Sequence, residues 1–312
     1  MNRRQFLAAT GTATATAVLR PAFAAGPPAK PIRTVWNVRS SEGFDAISFL
    51  GPLSGDDFYA QHYPAEIAAF APRLPKGTVE RIKALKDGAS AKSIMMTPFL
   101  DVVFSSGQDA DIATLVAAID VAETRLKPPF AVSPYWDQGN WDWFMGARAE
   151  LRALLLALDA AGFAAFRKEA FASTESTRLP QLRAKLAQYD VTAEQARMVG
   201  RPFDPRIDVV VLHFCKPHGI KVQGQQFLAA GSYDDDTWVF VSVHEMMHPP
   251  LVMDGPVAKR VIALIEADPV LARAIKEHDP RFGYTDAAGV LNEDLVQALD
   301  QMICERLGVA RP

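Results

Sequence analysis

Cysteine is almost missing from this sequence: Cys215 and Cys304 are the only two in 312 residues. So few, with no C-x-x-C pair, exclude a disulfide-stapled scaffold and a thiolate-held metal. Positive charge is not in excess either. The formal net charge is −3, charged residues are 22% of the chain, and no basic stripe runs along any segment. No nucleic-acid partner is therefore expected. Long apolar runs are lacking too. Residues 6–18 come nearest, but threonines dilute them and they fall short of the roughly 20 residues needed to span a bilayer. No repeat or low-complexity tract is present, which excludes a repeat array. What the chain has is 49% hydrophobic residues over a length that fits one large domain or two lobes.

Asn2-Arg3-Arg4-Gln5-Phe6-Leu7 resembles a twin-arginine export signal, and Ala22-Phe23-Ala24 is a small-residue cleavage site of the A-x-A kind. Residues 1–24 are expected to be removed. That takes away three arginines and no acid, which lowers the net charge from −3 to −6. Residues 25–312 then form the exported domain, periplasmic or otherwise extracytoplasmic, with no membrane association after cleavage. The resemblance of the signal implies export of an already folded chain, its metal loaded where cysteines stay reduced. A Cys215–Cys304 bridge formed after export stays open beside two buried free thiols, the preferred expectation.

Along the domain, residues 34–38 read as a first strand. From Gly55 the pattern turns helical, within a helical N-terminal part expected at about 40–200. Thr78 caps one helix, and Asp109 opens another with Ile112, Leu115, Val116 and Ile119 on one face. The longest helical stretch is 141–171, broken at Gly162. From about 205 the character changes: 207–212 reads as a buried strand and 219–228 as a second. Helices return at about 257–266 and 286–307.

The chemistry is concentrated in His244-Glu245-Met246-Met247-His248. Two histidines four apart share one helix face, one turn apart, as two ligands of a zinc tetrahedron require. Glu245 between them suits a general base that reaches a water without ligating the metal. Asp236 is positioned to cap a helix beginning at Thr237. Its residues Trp238, Val239, Phe240, Val241 and Val243 are apolar all round, which marks a buried helix.

These residues resemble the zincin metallopeptidases, whose catalytic zinc takes three protein ligands. Glu293 is the leading third candidate, because Asn292-Glu293 on a downstream helix is similar to the Asn-Glu pair of the gluzincin branch. Glu293 lies beside Gln297 and Asp300, opposite an apolar stripe of Leu295, Leu299 and Met302 expected to face the core. The separation of 44 residues from His248 implies an insertion around 256–284. Thermolysin-like enzymes carry an aspartate four residues after the ligand, where this chain has Gln297. Asp254, six residues after His248, is the rival, but Leu251 stands where that branch turns on a glycine. Pro249 departs from the usual pattern and predicts that the active helix ends at His248. The chain from about 209 onward also resembles an uncharacterised bacterial family of exported HExxH domains, through the proline after the motif and Glu293-Asp294-Leu295-Val296-Gln297-Ala298.

The resemblance implies a zincin-like α+β fold, with a small mixed sheet near residues 207–230 over the active helix and a mostly helical remainder. The catalytic part is expected at about 205–312. It implies a Zn2+ cofactor held by His244, His248 and Glu293, with Glu245 as base and a peptide or protein as substrate. The alternative is a non-catalytic, zinc-retaining binding protein of the cell envelope. Residues 225–231 are expected to form the edge strand that pairs with substrate, and His278 or Tyr284 to donate to the oxyanion. Two weaker signals remain. Tyr135, Trp136, Trp141, Trp143 and Phe144 cluster around Gly139 as a core anchor or a pocket wall. His213 and His218 flank Cys215, where structural packing is favoured over a second metal.

Overall fold

The structure, a computed structural model, describes residues 34–248, 251–279, 284 and 286–310. The expected leader, residues 1–24, lies outside the described residues. The fold is α+β, built on four strands in the order β1–β2–β4–β3: β1 (Val35–Ser40), β2 (Arg206–Leu212), β3 (Gly219–Lys221) and β4 (Gln226–Ala230). β1, β2 and β4 run parallel, and β3 returns antiparallel along β4 as the edge. The longer helices, in chain order, are α1 (Glu42–Leu53), α2 (Thr78–Ser90), α3 (Met96–Phe104), α4 (Ile112–Asp120), α5 (Gln138–Ala160) and α6 (Phe163–Ser173), then α7 (Leu179–Leu186), α8 (Val191–Val199), α9 (Asp235–Glu245), α10 (Pro256–Ala267), α11 (Pro269–Lys276) and α12 (Ala287–Leu307). Among the described residues, no helix is long and apolar enough to cross a membrane.

Strand alternation divides the core in two. Val210, Leu212, Leu228 and Ala230 face one side, where they meet Phe44 and Phe49 of α1, Phe104 of α3 and Leu154 of α5. Ile207, Val209, Val211, Phe227 and Ala229 face the other, against Trp238 and Val243 of α9 and Val296 and Ile303 of α12. A sheet covered on both faces needs apolar residues at successive positions, which is why β2 reads as a continuous run. Cys215 lies in the first cluster and Cys304 in the second; both are buried and free.

Three sequence expectations are corrected here. The stretch 219–228 is not one strand but two, turned at Gly224, whose φ of 67° is left-handed and open to glycine at no steric cost. Residues 225–231 are not an edge: β4 is wholly buried between β2 and β3, and the edge belongs to Gly219–Lys221. The sheet also reaches beyond 207–230, because β1 pairs with β2 from Val35↔Arg206 to Ser40↔Val211. The helical expectations hold more closely, although Thr78 is the first residue of α2, whose cap is Gly77. α5 and α6 separate at Gly162, and α4 buries Ile112, Leu115 and Ile119, although its cap is Asp111.

Candidate metal centre

α9 is helical although its sequence is rich in β-branched residues. The Asp234 carboxylate accepts the Thr237 N–H at 2.7 Å, and Asp235 and Asp236 occupy the first turn, where negative charge suits the helix dipole. The cap therefore stands two residues before the expected Asp236. Trp238, Val239, Ser242 and Val243 turn into the core, and this burial overrides the strand propensity of the run. The helix ends at Glu245, short of the expected His248, and Met246 to His248 follow as a turn. Pro249 and Pro250 have no N–H to give the carbonyls of Glu245 and Met246, so the last helical hydrogen bonds are lost.

Both histidines are nevertheless held on one side of the chain, their ring centroids 5.0 Å apart. Asp300 Oδ2 lies 2.7 Å from His244 Nδ1, and Asn292 Oδ1 lies 2.7 Å from His248 Nδ1. Carboxylate and amide oxygens only accept, so each Nδ1 donates and each Nε2 is directed elsewhere. Glu293 Oε2 is what they meet, at 3.5 Å from His244 Nε2 and 3.9 Å from His248 Nε2. Gln297 donates to Glu293 Oε1 at 2.7 Å, whereas Oε2 is buried without a hydrogen-bond partner. One atom from each of His244, His248 and Glu293 lies within 4.8 Å of the other two.

The charges of the group are coupled. Burial works against a charged His244, but the hydrogen bond to Asp300 and the nearby carboxylates of Glu293 and Glu245 outweigh it and raise its pKa to about 10. Burial likewise opposes ionisation of Glu293, yet His244 outweighs it and holds the carboxyl down to about 2. Asp254 is exposed at the mouth of the neighbouring cleft and joins no such group.

α12 presents these groups in a way opposite to expectation. Of the stripe Leu295, Leu299 and Met302, the first and last are 39% and 50% exposed and only Leu299 packs partly against the core, while Val296, Asp300, Ile303 and Cys304 are buried on the face that packs against α9. Polar groups can turn inward there because the motif supplies their partners. Asp300 is the residue whose role sequence reasoning missed. It stands seven residues after Glu293, two turns along the same face, a spacing that was legible but not used.

The cleft beside the motif has a volume of about 880 Å³. Glu245, His248 and Tyr284 line it, with Ile94, Phe99 and Tyr135 from the helical part and Gly219 and Lys221 from β3. Gly219 brings the strand hard against the helix. A Cβ there would meet Val241 Cγ1 at 2.9 Å and Glu245 Oε1 at 3.1 Å. The Tyr284 hydroxyl turns to Glu293, and its backbone is left-handed at φ 54°. His278 is exposed and does not line the cleft. Of the aromatic cluster, Trp141 and Phe144 are core, and Tyr135 is the member that reaches the cleft. His213 faces Glu66 at 3.1 Å, His218 faces the Tyr59 hydroxyl at 3.2 Å, and Cys215 donates to the His218 carbonyl. Each of the three is held by a contact within the protein, and among the described residues they do not gather into a group of possible metal ligands. Compared with known proteins, the chain matches no family model, no curated protein and no solved structure.

Proposed function

We propose that this chain is a zinc-dependent peptidase with a zincin-like fold, its metal held by His244, His248 and Glu293 and its general base Glu245. The observation that carries the reading is the buried, unpartnered Glu293 Oε2 facing two imidazoles whose Nδ1 atoms are already engaged. The donor set fits. Two nitrogens and one carboxylate oxygen are a catalytic zinc set, and their spacings of 3.5 and 3.9 Å approach the edge of a tetrahedron with bonds of about 2.0–2.1 Å, roughly 3.4 Å. Zinc bound there would act as a Lewis acid, polarising a carbonyl and acidifying a water.

The chain's own groups account for the rest. Glu245, 7% exposed at the wall of the cleft, takes the proton from the attacking water and returns it to the leaving amine. Tyr135, across the cleft, offers its hydroxyl to the oxyanion, a role that supersedes His278, while Tyr284 is turned to the Glu293 carboxylate. β3, as the sheet edge, offers main-chain hydrogen bonds to an extended substrate. Export by the twin-arginine route belongs to the same proposal, resting on Arg3-Arg4 and Ala22-Phe23-Ala24.

Metal analysis paired with a broad peptide-library digest tests this. The parent should hold one zinc and cut peptides. Glu245→Gln should keep the zinc and lose about 10²- to 10⁴-fold in rate, and Tyr135→Phe should lower kcat with zinc retained. Zinc retained by a parent that cuts no peptide would favour the non-catalytic binding protein of the cell envelope.

A further inference from the structure

β3 carries three side-chain positions of different kinds: Gly219, Ile220 and Lys221. Ile220 joins the helical core, so alternation turns Gly219 and Lys221 to the opposite face, toward α9. Lys221 is only 8% exposed. Its ammonium donates to the carbonyls of Val222 and Gly224 in the turn that closes the hairpin. An ammonium has three N–H groups, so one remains. No carboxylate among the described residues forms an ion pair with it, and it is the only lysine or arginine that lines the cleft among them. Glu245 is near enough to favour its charge without pairing. Asp204, which lines the adjoining cavity, accepts the Arg206 N–H at 2.9 Å.

A buried cation with neutral partners is costly to the free protein and gains from an anion brought to it. Ile94, Phe99, Val102 and Ile220 give the same cleft an apolar wall beside Lys221, suited to the apolar neighbours of such a carboxylate in a peptide. Position sets the register. Lys221 lies two residues beyond Gly219, which touches Glu245, and a strand rises about 3.3 Å per residue. An extended peptide lying on β3 with its scissile bond at Glu245 reaches Lys221 about two residues away.

We infer that Lys221 forms a carboxylate subsite, so that the cleft selects peptides bearing a carboxylate about two residues from the bond to be cut. This rests on the peptidase reading for its register, though not for the binding itself. The carboxylate is either the free C-terminus or an Asp or Glu side chain.

The test is equilibrium binding to the full zinc-loaded chain carrying Glu245→Gln, so that no peptide is consumed. Three acetylated pentapeptides of one apolar sequence serve as probes: a free acid, its amide, and the amide with one Glu. At least one carboxylate form should bind about 10- to 100-fold tighter than the plain amide, and which one identifies the source. Lys221→Gln, which keeps a donor for the turn carbonyls, should abolish that difference, and Lys221→Arg should keep most of it. Equal binding of all three peptides, no binding of any, or a preference that survives Lys221→Gln would overturn the subsite. Digestion of the same peptides by the parent separates the two ideas: preference without cleavage sinks the peptidase reading alone, and cleavage without preference sinks the subsite alone.

Discussion

Glu293 and Asp300 share one face of α12, two turns apart, and in the proposed metal centre they divide the work of holding a cation. Glu293 offers Oε2 to the site, and Asp300 fixes the His244 ring from behind at 2.7 Å. A ligand and its support should therefore fail to different degrees. Glu293→Ala should release zinc at chelator concentrations that leave the parent loaded. Asp300→Asn should weaken affinity by about 10–100-fold, as loss of an outer hydrogen bond does. Asp254→Ala should match the parent, and a larger loss there than at Glu293 would move the third ligand to Asp254. His218 makes a prediction about acid. Burial, with the nearby His62, lowers its pKa to about 4. Above pH of about 6.5 it is neutral whether the chain is folded or not. As pH falls from about 6.5 to about 4 the unfolded chain takes up a proton that the native state refuses, and stability drops by at most about 3 kcal/mol. Urea unfolding at pH 7.5 and 5 should show the loss in the parent and a smaller one in His218→Gln; equal losses would clear His218.

The element that decides access to the motif is β3, three residues long. Its closeness to α9 exists because position 219 has no side chain. Gly219→Ala should displace Val241 or Glu245, at a cost on the order of 1–3 kcal/mol for an overpacked contact. Zinc stoichiometry should stay at the parent value, since neither neighbour is a ligand, while peptide hydrolysis falls. An alanine variant as stable and as active as the parent would show that the close approach has no consequence.

The whole molecule ties the two halves of the sequence together. β1 comes from the beginning of the domain and pairs in parallel with β2, 171 residues further on. The helical part contributes Ile94, Phe99 and Tyr135 to the cleft and most of one of the two cores. Residues 205–312 expressed alone should consequently lack a cooperative unfolding transition and bind no zinc tightly, as calorimetry and metal analysis would reveal. A fragment that melts cooperatively with bound zinc would make the helical half dispensable to the fold.

The sequence by itself determined the pairing of His244 and His248 on one side, the carboxylate of Glu245 between them and the helix that brings Glu293, because each follows from local spacing or an adjacent pair. It also marked β2 and the divided helix around Gly162, where composition and a breaker act over short range. It did not reveal α1, since Glu42–Leu53 is buried on every side beyond Glu42, with Asp45 and Ser48 inside as well as its apolar residues, leaving no period to read. It misjudged the face of α12. Leu295 and Met302 look like a core stripe until the partners of Asn292, Glu293 and Asp300 are known, and those partners lie more than 40 residues away. Only tertiary structure decided which carboxylate meets the histidines, which strand is the edge and where Lys221 stands. Each of these depends on which distant groups compensate a buried charge or cover a strand, and no local pattern carries that information.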